Sequence, residues 1–129
     1  MIKNRKHSHI GLGTDDVEAT AKWYTDVLGF ELIGDFKAPD GNPIKFLKNR
    51  DVVYEMYQDS SISPEAAGKI DHYSFESQDI EADYDYCLKQ GYQITTNAIE
   101  GIPTLWEHGV RYFKIASPTG EDIEFCQIL

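Results

Sequence analysis

"HIGLGTDDVEATAKWYTDVLGF" occupies positions 9–30, and "HYSFESQDIEADYDYCLKQGY" occupies 72–92. Each opens on a histidine (His9, His72) and reaches an acid and an aliphatic residue seven and eight positions on (Asp16-Val17, Asp79-Ile80). Each closes on a glycine-aromatic pair (Gly29-Phe30, Gly91-Tyr92). The halves also end alike, on Glu55-Met56-Tyr57-Gln58 and Glu124-Phe125-Cys126-Gln127, with His-to-Glu separations of 46 and 52 residues. Two such repeats are too few for a solenoid and suit a pseudo-twofold structure in which each curled sheet completes the other.

Within the first repeat, "HSHIGLG" at 7–13 alternates, with Ile10 and Leu12 on one side and His7, His9, Gly11 and Gly13 on the other. Thr14 or Asp15 caps a helix from about Val17 to Leu28, and Gly29 stops it. Val17, Ala21, Tyr24 and Leu28 form its apolar stripe. A strand from Phe30, the turn "APDGNP" and two strands around "KNRD" complete a β-α-β-β-β order. The polar stretch at 59–69 reads as a linker. The second half repeats the order. Its elements are a strand at His72, a helix from Asp79 to Lys89 with Ile80, Tyr84, Cys87 and Leu88 inward, a strand "YQITT", and two strands joined by "SPTGED". Residues 97–109 read as a loop. The expected fold class is α+β: two βαβββ modules forming a curled mixed sheet around a cleft.

Composition narrows the function classes. With 12 basic and 22 acidic residues the net charge is −10, which repels phosphate backbones and anionic membrane surfaces. No nucleic acid and no membrane is expected as a partner. A hydrophobic content of 41% supports a packed core. "MIKNRKHSH" has no apolar stretch behind it that would make a secretory signal. Cys87 and Cys126 form no CxxC pair, so both read as reduced thiols in a cytoplasmic protein.

Period-two alternation turns His9 and His72 away from the helices and gives Glu55 and Glu124 the same face. A twofold arrangement brings two imidazoles and two carboxylates to one cleft, a donor set for a divalent transition metal with room for a substrate bearing two adjacent oxygens. Taken singly, each of these residues reads as a surface or hydrogen-bonded residue; the repetition favours the ligand reading, because a surface role gives no reason for both halves to repeat the pattern. His7 competes with His9, which alone stands seven residues before its acid. His108 has no counterpart and reads as a loop residue, and Tyr57 and Trp106 read as packing residues.

These stretches, with "VVYEMYQ" and "ASPTGEDIEF", resemble the vicinal oxygen chelate superfamily over nearly the whole chain. The resemblance implies one domain over 1–129, with modules at about 5–58 and 70–129, and metal ligands at His9, Glu55, His72 and Glu124. Glu rather than Gln at position 55 is similar to the glyoxalase I branch. The implied function is a metal-dependent lyase or isomerase. It would act on a 2-oxoaldehyde–thiol adduct or related hydroxycarbonyl through an enediolate, with Glu55 or Glu124 as base and one nickel, zinc, cobalt or manganese ion. An epimerase of the same fold and a non-catalytic, drug-binding protein are the alternatives, and a homodimer is expected. Gly13 and Asp59 stand where bacterial glyoxalase I has Arg and Asn for glutathione, which argues against that thiol.

Overall fold

A computed structural model of the chain describes residues 3–4, 8–63, 68 and 70–129. His7 and residues 64–67 and 69 of the expected linker lie outside the described residues. The chain divides into two compact units, Met1–Pro64 and Glu65–Leu129. Each unit contains one helix and a four-stranded mixed sheet.

In the first unit β1 (Ile10–Thr14) is followed by α1 (Val17–Leu28), β2 (Glu31–Lys37), β3 (Pro43–Asn49) and β4 (Val52–Gln58). The sheet order is β1-β4-β3-β2, with β1 parallel to β4 and the other pairs antiparallel. The expected helix forms over the expected residues, but its cap differs. Asp16 is the N-cap, and its carboxylate accepts from the Ala19 amide at 2.9 Å. Neither Thr14 nor Asp15 takes that role, because a helix starting at Val17 puts the extended cap conformation on the residue just before it. Thr14 instead ends β1 and bonds the Thr20 hydroxyl at 2.7 Å inside the unit. Gly29, at φ 70°, takes the left-handed turn that lets Phe30 N–H reach Tyr24 O at 3.1 Å.

Val17, Ala21, Tyr24, Leu47, Tyr54 and Met56 are buried between α1 and the sheet. The Tyr24 ring meets Phe30 and Tyr54 edge-on, each at 5.4 Å between centroids. Each fully buried side chain of this size contributes roughly 1.5–3 kcal/mol. Tyr54 and Met56 point to the helix, so Glu55 between them points away from it.

The second unit runs β5 (His72–Glu76), α2 (Ile80–Gln90), β6 (Glu100–Ile102), β7 (Val110–Ala116) and β8 (Asp122–Ile128), in the order β5-β8-β7-β6. Asp79 caps α2 through the Ala82 amide at 3.1 Å, and Gly91 closes it at φ 75°. The Phe113 ring stacks on Phe125 at 4.9 Å and meets Tyr84 edge-on at 5.1 Å.

Two expectations fail here. "YQITT" forms no strand: only Ile94 bridges to Ile115, and the sheet's fourth strand is Glu100–Ile102, inside the stretch read as a loop. Pairing with β7 settled this, and such pairing has no local sequence period. Leu88 is half-exposed rather than inward, because Ile80 and Cys87 already fill the helix face against the sheet.

The repeated Glu-x-x-Gln ending has a structural cause in its glutamine. Gln58 Nε2 donates to the carbonyl of Asp15, and Gln127 Nε2 donates to that of Gln78 at 3.1 Å. Both carbonyls belong to the residue just before a helix N-cap. The last strand of each unit thus ties down the strand-to-helix turn.

Candidate metal-ligand pairs in the two units

The two sheets share one register. Gly11 pairs with Glu55 across β1 and β4, and Ser74 pairs with Glu124 across β5 and β8. Gly11 lies two residues after His9 and Ser74 two after His72, so the two histidines are equivalent in the pleat. This register, and not the seven-residue spacing alone, makes His9 the counterpart of His72.

In the first unit His9 Nε2 lies 2.8 Å from Glu55 Oε2, and His9 Nδ1 lies 2.9 Å from Ser8 Oγ. Phe46, opposite Glu55 on β3, meets the His9 ring edge-on at 5.5 Å. In the second unit His72 Nδ1 lies 2.9 Å from Asp71 Oδ2, while its Nε2 faces Glu124 Oε1 at 3.8 Å. Glu124 is held by Ser74 Oγ, which donates at 2.8 Å. Lys114, opposite Glu124 on β7, extends its ammonium to 3.4 Å from Asp71 Oδ2. The His72 hydrogen bond and then the Lys114 charge hold the Asp71 carboxyl below the usual carboxylate range.

Each unit therefore brings its expected His and Glu together with Nε2 toward the carboxylate and Nδ1 engaged by the preceding side chain. Among the described residues no group of three or more His, Cys, Asp or Glu gathers as a metal cluster. What the structure displays is a pair of two-ligand half-sites, each internal to its unit. The donor chemistry fits a divalent cation: a borderline nitrogen beside a hard oxygen, with the second ring nitrogen already engaged.

The surroundings of the two pairs differ. Around His9–Glu55 the face away from the helix carries Phe36, Phe46, Tyr57 and Ile62. A β-bulge at Ile33 brings Gly34 and Phe36 beside Phe46. A Cβ on Gly13 would lie 2.3 Å from Ile62 Cδ1 and 3.3 Å from the Tyr57 ring, so the space a side chain would use there is already filled. Tyr57, read from the sequence as a packing residue, is 39% exposed and walls this face. Asp59 accepts from the Ser61 amide at 3.0 Å and hydroxyl at 2.6 Å, and these bonds hold its carboxyl below the usual range. Around His72–Glu124 the corresponding face is polar, with Ser74, Asp122, Tyr112 and Lys114. The sequence reading missed Ser8, Asp71 and Ser74, although Ser8 and Asp71 immediately precede the histidines. His108 lies beside Glu107, at 3.7 Å, and Trp106 is 71% exposed.

Comparison with known proteins places this arrangement. A family model described as the Glyoxalase/Bleomycin resistance protein/Dioxygenase superfamily matches residues 6–125. The chain belongs to that superfamily. A relative, the uncharacterized protein YwbC of Bacillus subtilis (strain 168), is 31% identical over 127 residues, covering 95% of this chain and 98% of its own. The crystal structure of a glyoxalase family protein from Enterococcus faecalis superposes with a TM-score of 0.77 at 18% identity, over 97% of this chain and 99% of the other. FosX, the genomically encoded fosfomycin resistance protein of Listeria monocytogenes, solved with Mn(II) and sulfate, gives 0.69 at 13% identity, over 100% and 95%. These two likenesses establish the superfamily fold. Among the described residues no helix is long and apolar enough to cross a membrane.

Proposed function

We propose that this superfamily member is a metal-dependent glyoxalase I-like lyase or isomerase. Its substrate is a vicinal-oxygen compound, a 2-oxoaldehyde–thiol adduct or a related hydroxycarbonyl. The observation that carries the reading is the duplicated His–Glu pair in equivalent registers, with the imidazole Nε2 facing the carboxylate in both units. A surface role for these residues gives no reason for the register to repeat. His9, Glu55, His72 and Glu124 would hold one divalent ion. That ion, when bound, would polarise the substrate carbonyl and stabilise negative charge developing on its oxygens.

The chain's own residues supply the rest. Glu55 or Glu124 accepts the proton leaving the carbon next to the carbonyl and returns it to the adjacent carbon, which balances the isomerisation. Ser74 steadies Glu124 while leaving Oε2 free of that bond. Phe46, Tyr57 and Ile62 offer apolar surface to the substrate's substituent. The filled space at Gly13 and the engaged carboxylate of Asp59 supply neither a cation nor an amide for a glutathione adduct, so a less anionic thiol or hydroxycarbonyl is favoured.

The test is turnover of methylglyoxal and phenylglyoxal adducts of several thiols after loading with nickel, zinc, cobalt or manganese. Changing the acting base to Gln should lower kcat about 10²–10⁴-fold, and deuterium from solvent should appear in the product. Unchanged turnover in both Glu55→Gln and Glu124→Gln removes the mechanism. The aromatic face also fits a non-catalytic small-molecule binder. Tight ligand binding without any bound metal would favour that reading.

A further inference from the structure

The two half-sites hold their histidines by different chemistry, and the difference governs ring tautomers. His72 Nδ1 lies 2.9 Å from Asp71 Oδ2, and a carboxylate only accepts, so the ring proton sits on Nδ1. Lys114 Nζ, 3.4 Å from the same oxygen, steadies that acceptor. The 3.8 Å from His72 Nε2 to Glu124 is beyond hydrogen-bond reach and needs no proton between them. In its neutral form the His72 ring therefore presents an Nε2 lone pair, which ligation requires.

His9 is held differently. Its Nε2 is 2.8 Å from Glu55 Oε2, as close as two ligands of one ion stand, and no hydrogen bond to that carboxylate fixes the ring proton. Its Nδ1 lies 2.9 Å from the Ser8 hydroxyl, the ring's hydrogen-bond partner. A hydroxyl can both donate and accept, so Ser8 permits both tautomers, including the one in which Nε2 is a ligand.

We propose that Asp71 is a positioning residue that presets His72 in the ligating tautomer, while Ser8 serves as a two-way partner that lets His9 switch. This rests on the reading of the two histidines as metal ligands for its purpose, though not for its geometry. The half-site in the second unit is then the preorganised one, and the first adapts.

The deciding measurement is ¹⁵N NMR of the imidazole nitrogens in the metal-free full chain at pH 8.5. His72 should show a protonated Nδ1 and a bare Nε2, and His9 a mixture of the two tautomers. In Asp71→Ala the His72 ring should relax to a mixture, and Asp71→Glu should restore Nδ1–H, with the backbone amide spectrum reporting that each variant is folded. A His72 ring protonated on Nε2 in the native chain, or one unmoved by Asp71→Ala, overturns the proposal.

Manganese and zinc titrations by calorimetry give the second readout. Asp71→Ala should weaken binding about 10–100-fold, the usual effect of removing an outer partner from a ligating histidine. Ser8→Ala should weaken it less. Equal losses would overturn the asymmetry. If the native chain binds neither ion yet the tautomers are as stated, the metal function fails and the positioning of His72 stands.

Discussion

Replacing Gly13 by alanine sets two effects of opposite sign against each other. Alanine in a strand is favoured over glycine by roughly 0.5–1 kcal/mol, because the unfolded chain loses freedom. Against this, the new methyl would lie 2.3 Å from Ile62 Cδ1 and 3.3 Å from Tyr57 Cζ and Oη. Overpacking of this kind costs about 1–3 kcal/mol. The first contact must open by more than an ångström, which Ile62 can do by turning the far end of its half-buried side chain, so the cost sits at the low end and Gly13→Ala should destabilise the chain by up to about 1 kcal/mol.

In an Ile62→Ala background the 2.3 Å contact is gone, and only the Tyr57 ring must yield by a few tenths of an ångström. There the same substitution should be neutral or stabilising by up to about 1 kcal/mol. Urea unfolding of the four chains gives the cycle, read from midpoints at constant m-value. Equal effects of Gly13→Ala in both backgrounds would refute the claim that Ile62 occupies the space at Gly13.

Other outcomes follow from the same geometry. Asp16→Ala and Asp79→Ala should each cost about 1 kcal/mol, whereas Asp15→Ala should stay within about 0.5 kcal/mol; urea midpoints distinguish the true cap from its neighbour. Cys87 is 1% exposed, and burial, with a smaller contribution from the Asp83 charge, pushes its thiol up to about 11. The unfolded thiol releases its proton near pH 9 while the folded one keeps it, so the associated stability is full below pH 9 and is lost between about pH 9 and 11. That two-unit gap is worth about 2–3 kcal/mol, and Cys87→Ala should flatten the alkaline slope by up to that amount; parallel slopes would contradict it. Tyr57→Ala should raise KM for phenylglyoxal adducts more than for methylglyoxal adducts, and an equal change for both would remove Tyr57 from the substrate's apolar wall.

Much of the site was legible in the chain because its signals are periodic. Alternation placed Glu55 and Glu124 opposite the helix-facing Tyr54, Met56 and Ile123, and the structure has them there. The Gly29 and Gly91 stops were legible for a similar reason, since a left-handed residue is required wherever each helix turns back. The N-cap was misplaced by one or two residues because Thr14, Asp15 and Asp16 all have capping chemistry, and only the true first helical residue selects among them.

The sequence by itself determined two βαβββ units, the helix spans and the repeated His–Glu pairing, because these follow from periodicity within short stretches. Tertiary structure alone decided the rest. It placed β6 at Glu100–Ile102, because strand choice depends on a partner eight to twelve residues away. It revealed that Gln58 and Gln127 brace the helix entries, and that Ile62 and Tyr57 fill the space at Gly13. It also gave His72 a carboxylate where His9 has a hydroxyl, since which atom a neighbouring side chain offers to a ring nitrogen depends on distances that no spacing along the chain encodes.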